Sequence, residues 1–146
     1  MPQKILSILL AILISCPAKG QLTPFEQSGG TQSATYEQVI AYYKALAAKY
    51  PSVQIDTAGC TDTYYPLQVV YYSNDGRFDR TRWKKQGKII LLINNGIHPG
   101  EPDGIDACMM LLRDAASGKI KVPDNVALAV IPVFNIGGAL NRNSYS

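Results

Sequence analysis

The stretch Lys88-Ile89-Ile90-Leu91-Leu92-Ile93-Asn94 decides the fold class, together with the loop and the apolar stripe that follow it. Its apolar run has strand length and no alternation, as expected for a central strand covered on both faces. Asn95 to Pro102 reads as a loop, with Pro102 where a first helical residue tolerates proline. Ile105, Cys108, Met109 and Leu112 then recur at i, i+3, i+4 and i+7, the apolar face of a helix ending near Ser117-Gly118. Val126 to Val133 is a second buried-type strand, and Asn135-Ile136-Gly137-Gly138 a tight loop. Strand, helix, strand in this order predicts a right-handed parallel crossover, and hence an α/β fold.

Upstream, Gln21 to Ala34 reads as an extended lead-in. Thr35 with Gln38 makes a capping box for a helix running to about Tyr50, with Val39, Tyr43, Leu46 and Ala47 on its apolar face and Pro51 as its stop. Val53 to Thr57 alternates as a strand that Ala58-Gly59 breaks. Pro66 to Ser73 is a second strand, Asn74-Asp75-Gly76 a turn, and Arg77 to Gly87 a polar loop rich in basic residues. The tyrosine pairs Tyr42-Tyr43, Tyr64-Tyr65 and Tyr71-Tyr72 are read as one ring in the core and one at the wet surface, with an aromatic sugar platform as the alternative.

The 146 residues are 47% hydrophobic and 17% charged, which is a globular balance and excludes general disorder. A net charge of +3, with no basic cluster beyond Lys84-Lys85 near Arg80 and Arg82, gives no indication of nucleic acid. Residues 1–20 read as an export signal. Lys4 precedes the apolar run Ile5 to Ser15, too short to span a bilayer, and Ala18-Lys19-Gly20 offers a cleavage site before Gln21. Leu13-Ile14-Ser15-Cys16 also reads as a lipobox, with Cys16 as a lipidated N-terminus, and an uncleaved anchor is a third reading. Without residues 1–20 the chain has 12 basic and 11 acidic residues, so no electrostatic partner is implied. Cys60 and Cys108 could form a disulfide outside the cytosol. The place of Cys108 on an apolar stripe favours a buried free thiol.

Ligands gather at the carboxyl ends of strands in an open α/β sheet. Two such ends carry polar clusters: Asn94 to Gly104, and Asn135 to Asn143. In the first, His98 and Glu101 lie three apart in a turn framed by glycine and proline. Both are zinc-ligand types, and the turn could aim them at one point. Otherwise Glu101 is a helix-start carboxylate favoured by the macrodipole, and His98 a surface loop residue. Asp103 and Asp106 could orient a metal-bound histidine, although solvated charge at a helix start is the commoner role.

At this segment the sequence resembles the M14 zinc carboxypeptidases. His98-Pro99-Gly100-Glu101 after a strand ending in Asn-Asn-Gly-Ile looks like that family's His-x-x-Glu zinc motif. The Thr35-Tyr36 helix start, the Thr61 to Val70 segment and Ile131-Pro132-Val133-Phe134-Asn135-x-x-Gly138 resemble the family's N-terminal half, over roughly residues 35–142. The resemblance implies a mixed, mostly parallel sheet flanked by helices, and a zinc ion (Zn2+) held by two histidines and one glutamate. It implies further that a metal-activated water attacks a peptide amide, assisted by a glutamate base and an arginine at the oxyanion.

The sequence departs from that pattern in several places. His98 is the single histidine, and no glutamate follows Glu101, so the third ligand and the general base are missing from these residues. We therefore read residues 35–146 as the N-terminal part of a carboxypeptidase-like domain, inactive alone; a pseudoenzyme is the other account. Gly100 stands where members that anchor a terminal carboxylate often have arginine. Asn141-Arg142 is not equated with the family's Asn-Arg pair. Arg142 reads either as a cleft arginine for oxyanion or substrate, or as an exposed loop residue, while Asn135 and Gly138 shape a turn. The expected function is an exported zinc metallocarboxypeptidase-like hydrolase acting on a peptide. The alternatives are a zinc amidohydrolase on cell-wall peptides or acylated amino acids, and an inactive secreted binding module.

Overall fold

The structure, a computed structural model, describes residues 20–142. The leader with its cleavage and lipid-anchor readings at Cys16, and residues 143–146, lie outside the described residues. Within them no helix is long and apolar enough to cross a membrane.

Helix α1 (Pro24–Gln27) corrects the extended reading of the lead-in. The signal is a second capping box: Thr23 Oγ1 accepts from the Glu26 N–H, and the Glu26 carboxylate accepts from the Thr23 N–H. Helix α2 (Tyr36–Lys49) starts at the Thr35 and Gln38 box, with bonds of 3.3 and 2.8 Å. Its predicted face is buried, with Val39, Tyr43 and Leu46 fully sealed.

Strands β1 (Val53–Cys60) and β2 (Pro66–Tyr72) form an antiparallel hairpin. Ala58-Gly59 does not end β1; it inserts a register shift between Thr57 and Gly59, and pairing resumes to Cys60. Residues 77–87 are not all loop. Asp79 caps helix α3 (Arg80–Lys85) through the N–H groups of Thr81 and Arg82, and Trp83 is buried against Tyr71 and Phe78.

Strand β3 (Ile89–Asn94), helix α4 (Asp103–Ala116) and strand β4 (Val126–Ile131) make the predicted crossover, with β3 and β4 parallel from Ile89↔Val126 to Asn94↔Ile131. Pro102 occupies the N-cap, one place earlier than expected. Ile105, Cys108, Met109 and Leu112 are all buried. A short helix, α5 (Ile136–Leu140), replaces the tight loop expected after β4, because the Asn135 side chain accepts from the Gly138 N–H at 2.9 Å.

The four strands are ordered β1-β2-β4-β3 in a mixed sheet flanked by helices. Among the described pairings β1·β2 and β2·β4 are antiparallel and only β3·β4 is parallel. The core joins α2, α4 and α5 to one sheet face through Val70, Tyr72, Leu128 and Val130. On the other face Trp83 lies beside Tyr71, and Val69, Ala127 and Ala129 are also buried.

One expectation fails outright. β3 is an edge strand in the described sheet, and Ile89, Ile90, Leu91 and Leu92 are 59, 46, 51 and 60% exposed. Four consecutive residues alternate between the two faces, so both faces of β3 are open.

Cys108 is buried and free, as favoured above, and Cys60 is exposed and free; the disulfide reading is therefore set aside. Burial pushes the Cys108 thiol up, opposed by the adjacent Asn95 side chain.

Candidate functional site

Since β2 is antiparallel to both β1 and β4, and β4 is parallel to β3, strands β1, β3 and β4 end at the same edge of the sheet. Their carboxyl-end loops are residues 61–65, 95–102 and 132–135. The loop after β3 is anchored at its base. Asn95 N–H donates to the Ile131 carbonyl, and the carbonyls of Asn95 and Gly96 accept from the N–H groups of Phe134 and Asn135 at 2.8 and 2.9 Å. Thus the two polar clusters found in the sequence are hydrogen-bonded to each other.

Close packing joins them a second time. A Cβ on Gly138 would lie 2.7 Å from Pro99 Cγ and 2.9 Å from Asn135 Nδ2, so only glycine lets α5 approach the His98 loop this closely. At the start of α4 a Cβ on Gly104 would stand 2.9 Å from Asn95 Oδ1. Asn95, 7% exposed, fills the floor of the loop, with its side chain beside the Cys108 thiol. Sequence reasoning left Asn95 as one polar residue among many; its burial follows from the fold of the loop over it.

His98 and Glu101 occupy a single turn, closed by the Glu101 N–H donating to the His98 carbonyl at 2.9 Å. Both are exposed, and neither side chain forms a hydrogen bond or ion pair within the described residues. They differ in this from the two aspartates that follow. Asp106 is 4% exposed and accepts from the Ala34 N–H at 3.2 Å, tying the lead-in to α4. Asp103 is exposed in the first turn of α4, where a carboxylate complements the helix dipole.

Arg142 is half-buried. Its Nε and Nη2 are shielded from solvent without an acceptor among the described residues, and no hydrogen bond or ion pair joins it to His98 or Glu101. Among the described residues no group of three or more histidine, cysteine, aspartate or glutamate side chains is placed to hold a metal ion. A depression of about 590 Å³ lies at the opposite edge of the sheet, lined by Asn74, Asp75, Lys88 and Asp124. Four of its side chains are paired: Asn74 Nδ2 donates to Asp124 and to the Val122 carbonyl, and Lys88 pairs with Asp75. We read it as a locked turn.

No family model matches the sequence, and no curated protein matches it. Solved structures do match the fold. Carboxypeptidase A from Helicoverpa armigera superposes with a TM-score of 0.63 at 18% identity, over 74% of this chain and 26% of that one. Bovine thrombin-activatable fibrinolysis inhibitor, solved in complex with tick carboxypeptidase inhibitor, gives 0.62 at 19% identity, over 77% and 35%. The chain has a carboxypeptidase-like fold. A putative carboxypeptidase A from Shewanella denitrificans is similar at 0.54 and 19% identity, over 73% and 27%. The chain thus spans about a quarter to a third of the length of the solved structures it matches.

Proposed function

We propose that His98 and Glu101 are two of the zinc ligands of a carboxypeptidase-like hydrolase that cleaves the C-terminal amide bond of a peptide. The observation that supports this reading is the turn itself. Two exposed, unpaired donors share one turn at the carboxyl end of a strand, in a carboxypeptidase-like fold.

The residues present suit the ion as far as they go. A neutral imidazole nitrogen and a carboxylate oxygen are both zinc donors, and neither has a partner to give up within the described residues. Zinc, when bound, supplies Lewis acidity and lowers the pKa of water. Around it, Glu101 would offset part of the ion's charge and the Asn95 floor would hold the turn. Arg142, whose Nε and Nη2 have no acceptor among the described residues, would meet a substrate carboxylate or a developing oxyanion. The remaining ligand and the general base belong, on this reading, to polypeptide that pairs along the open edge of β3. The absence of an arginine at Gly100 supports a second reading, an amidohydrolase acting on cell-wall peptides or acylated amino acids. We also propose export through residues 1–20, or anchoring at Cys16.

Elemental analysis of the intact protein tests the reading. One equivalent of zinc is expected, lost in His98→Ala and in Glu101→Ala; intact protein without stoichiometric zinc would sink it. Release of a C-terminal residue from ordinary tripeptides, but not from muropeptides, would favour the carboxypeptidase over the amidohydrolase.

A further inference from the structure

The loop between β1 and β2 opens at the same sheet edge as the His98 turn, and it carries a side chain that the fold does not use. The loop is tightly built. Thr61 N–H donates to the Tyr65 carbonyl at 2.9 Å, Tyr64 N–H donates to the Thr61 carbonyl at 3.0 Å, and Thr61 Oγ1 also donates to the Tyr65 carbonyl. Tyr65 is held from below by Tyr36, ring edge to ring face, with centroids 5.6 Å apart.

Between these fixed points Tyr64 adopts φ 62, the left-handed region that glycine takes without strain and other residues rarely enter. It is the one non-glycine residue with positive φ among the described residues. Tyr64 is 90% exposed, and its ring makes no ring contact within the described residues. A large aromatic side chain therefore stands in water on a strained backbone and contributes no packing to the core. Strain of this kind gathers at ligand-contacting positions, and a rigid aromatic ring with a polar tip is a good contact for a bound chain.

Position connects the ring to the candidate site. Thr63 Cγ2 lies 2.8 Å from where a Gly137 Cβ would stand, just as Pro99 reaches the adjacent Gly138. Helix α5 thus carries the Tyr64 loop on one glycine and the His98 loop on the next. In the order β1-β2-β4-β3 the two loops are two to three strand intervals apart, about 10–14 Å. An extended peptide covers that span in about three to four residues.

We propose that Tyr64, with Tyr65 beside it, forms a binding subsite for an apolar or aromatic side chain of an extended peptide, three to four residues from the position that His98 and Glu101 would hold. The direction along the peptide, toward its amino end, rests on the hydrolase reading; the aromatic subsite does not.

The test is binding of fluorescently labelled hexapeptides to the full chain. One carries phenylalanine four residues before the C-terminal residue and the other carries glycine there. The phenylalanine peptide is expected to bind at least fivefold more tightly. That preference should vanish in Tyr64→Ala and persist in Tyr64→Phe, while Tyr64→Gly melts no lower than the native chain. Equal affinities for the two peptides, or a preference that survives Tyr64→Ala, would overturn the proposal. Zinc uptake by the intact protein, measured separately with His98→Ala as control, keeps the two readings apart. Loss of the peptide preference with zinc uptake intact removes the subsite alone, and intact preference without zinc uptake removes the hydrolase alone.

Discussion

Tyr43 is sealed in the core and its hydroxyl has no hydrogen-bond partner among the described residues. Burial holds its pKa well above the ordinary range, but the neutral hydroxyl still loses water without replacement. Tyr43→Phe should stabilise the chain by roughly 1 kcal/mol, read as a higher urea midpoint at unchanged m-value. Arg113 shows the opposite arrangement. It is 5% exposed and binds the Glu26 and Asp114 carboxylates and the Gln21 carbonyl. Burial alone would raise Glu26, but the bonds from Arg113 and Thr23 outweigh it and hold that carboxyl low. The Arg113 hydrogen bond lowers Asp114 as well. Depressed carboxylates contribute stability that is complete above their ordinary values, 4.5 and 3.8, and is lost as pH falls through the lowered ones. The melting temperature should therefore stay level from about pH 7 to 5 and fall below about pH 4. Glu26→Gln should cost roughly 1.5–3 kcal/mol at neutral pH, nearer the lower figure because Glu26 is partly wet, and should flatten the acid limb. An acid limb unchanged by that substitution would count against this account. The burial of Arg113 was not legible in the sequence, because its partner Glu26 is 87 residues away.

Elements with a repeating apolar pattern could be read directly. Helices α2 and α4 each show several apolar side chains at helical spacing, and β4 shows a continuous run, so their boundaries came out within a residue or two. Helices α1, α3 and α5 have four, six and five residues. At that length no period can be seen, and each is specified by its cap, at Thr23, Asp79 and Asn135. The place of α5 also depends on close approach to the His98 loop. Gly138→Ala would drive a methyl group into Pro99 Cγ and Asn135 Nδ2. We expect a loss of about 1–3 kcal/mol of stability, together with weaker zinc uptake by the intact protein, measured by thermal melts and metal titration. Zinc uptake unaffected by the substitution would show that the His98 turn does not depend on α5.

For the whole molecule, the edge position of β3 in the described sheet sets the expectation for behaviour in solution. Ile89 to Leu92 leave both strand faces and one row of backbone hydrogen-bonding groups uncovered, a template for pairing with another chain. The chain by itself should self-associate with rising concentration, and Leu92→Lys should reduce that association without loss of secondary structure. Sedimentation velocity with far-ultraviolet circular dichroism checks both, and a strictly monomeric native chain would refute the expectation. The sequence by itself determined the crossover, the two long helices and the residue types of the His98 turn, because each is set by local spacing along the chain. Tertiary structure decided what covers each element. It put β3 at an edge, Arg113 in the interior and Asp106 on the backbone of Ala34, and it brought Thr63 and Pro99 to adjacent glycines of α5. Burial and contact between residues far apart in sequence depend on how strands are ordered, which no single stretch of the chain encodes.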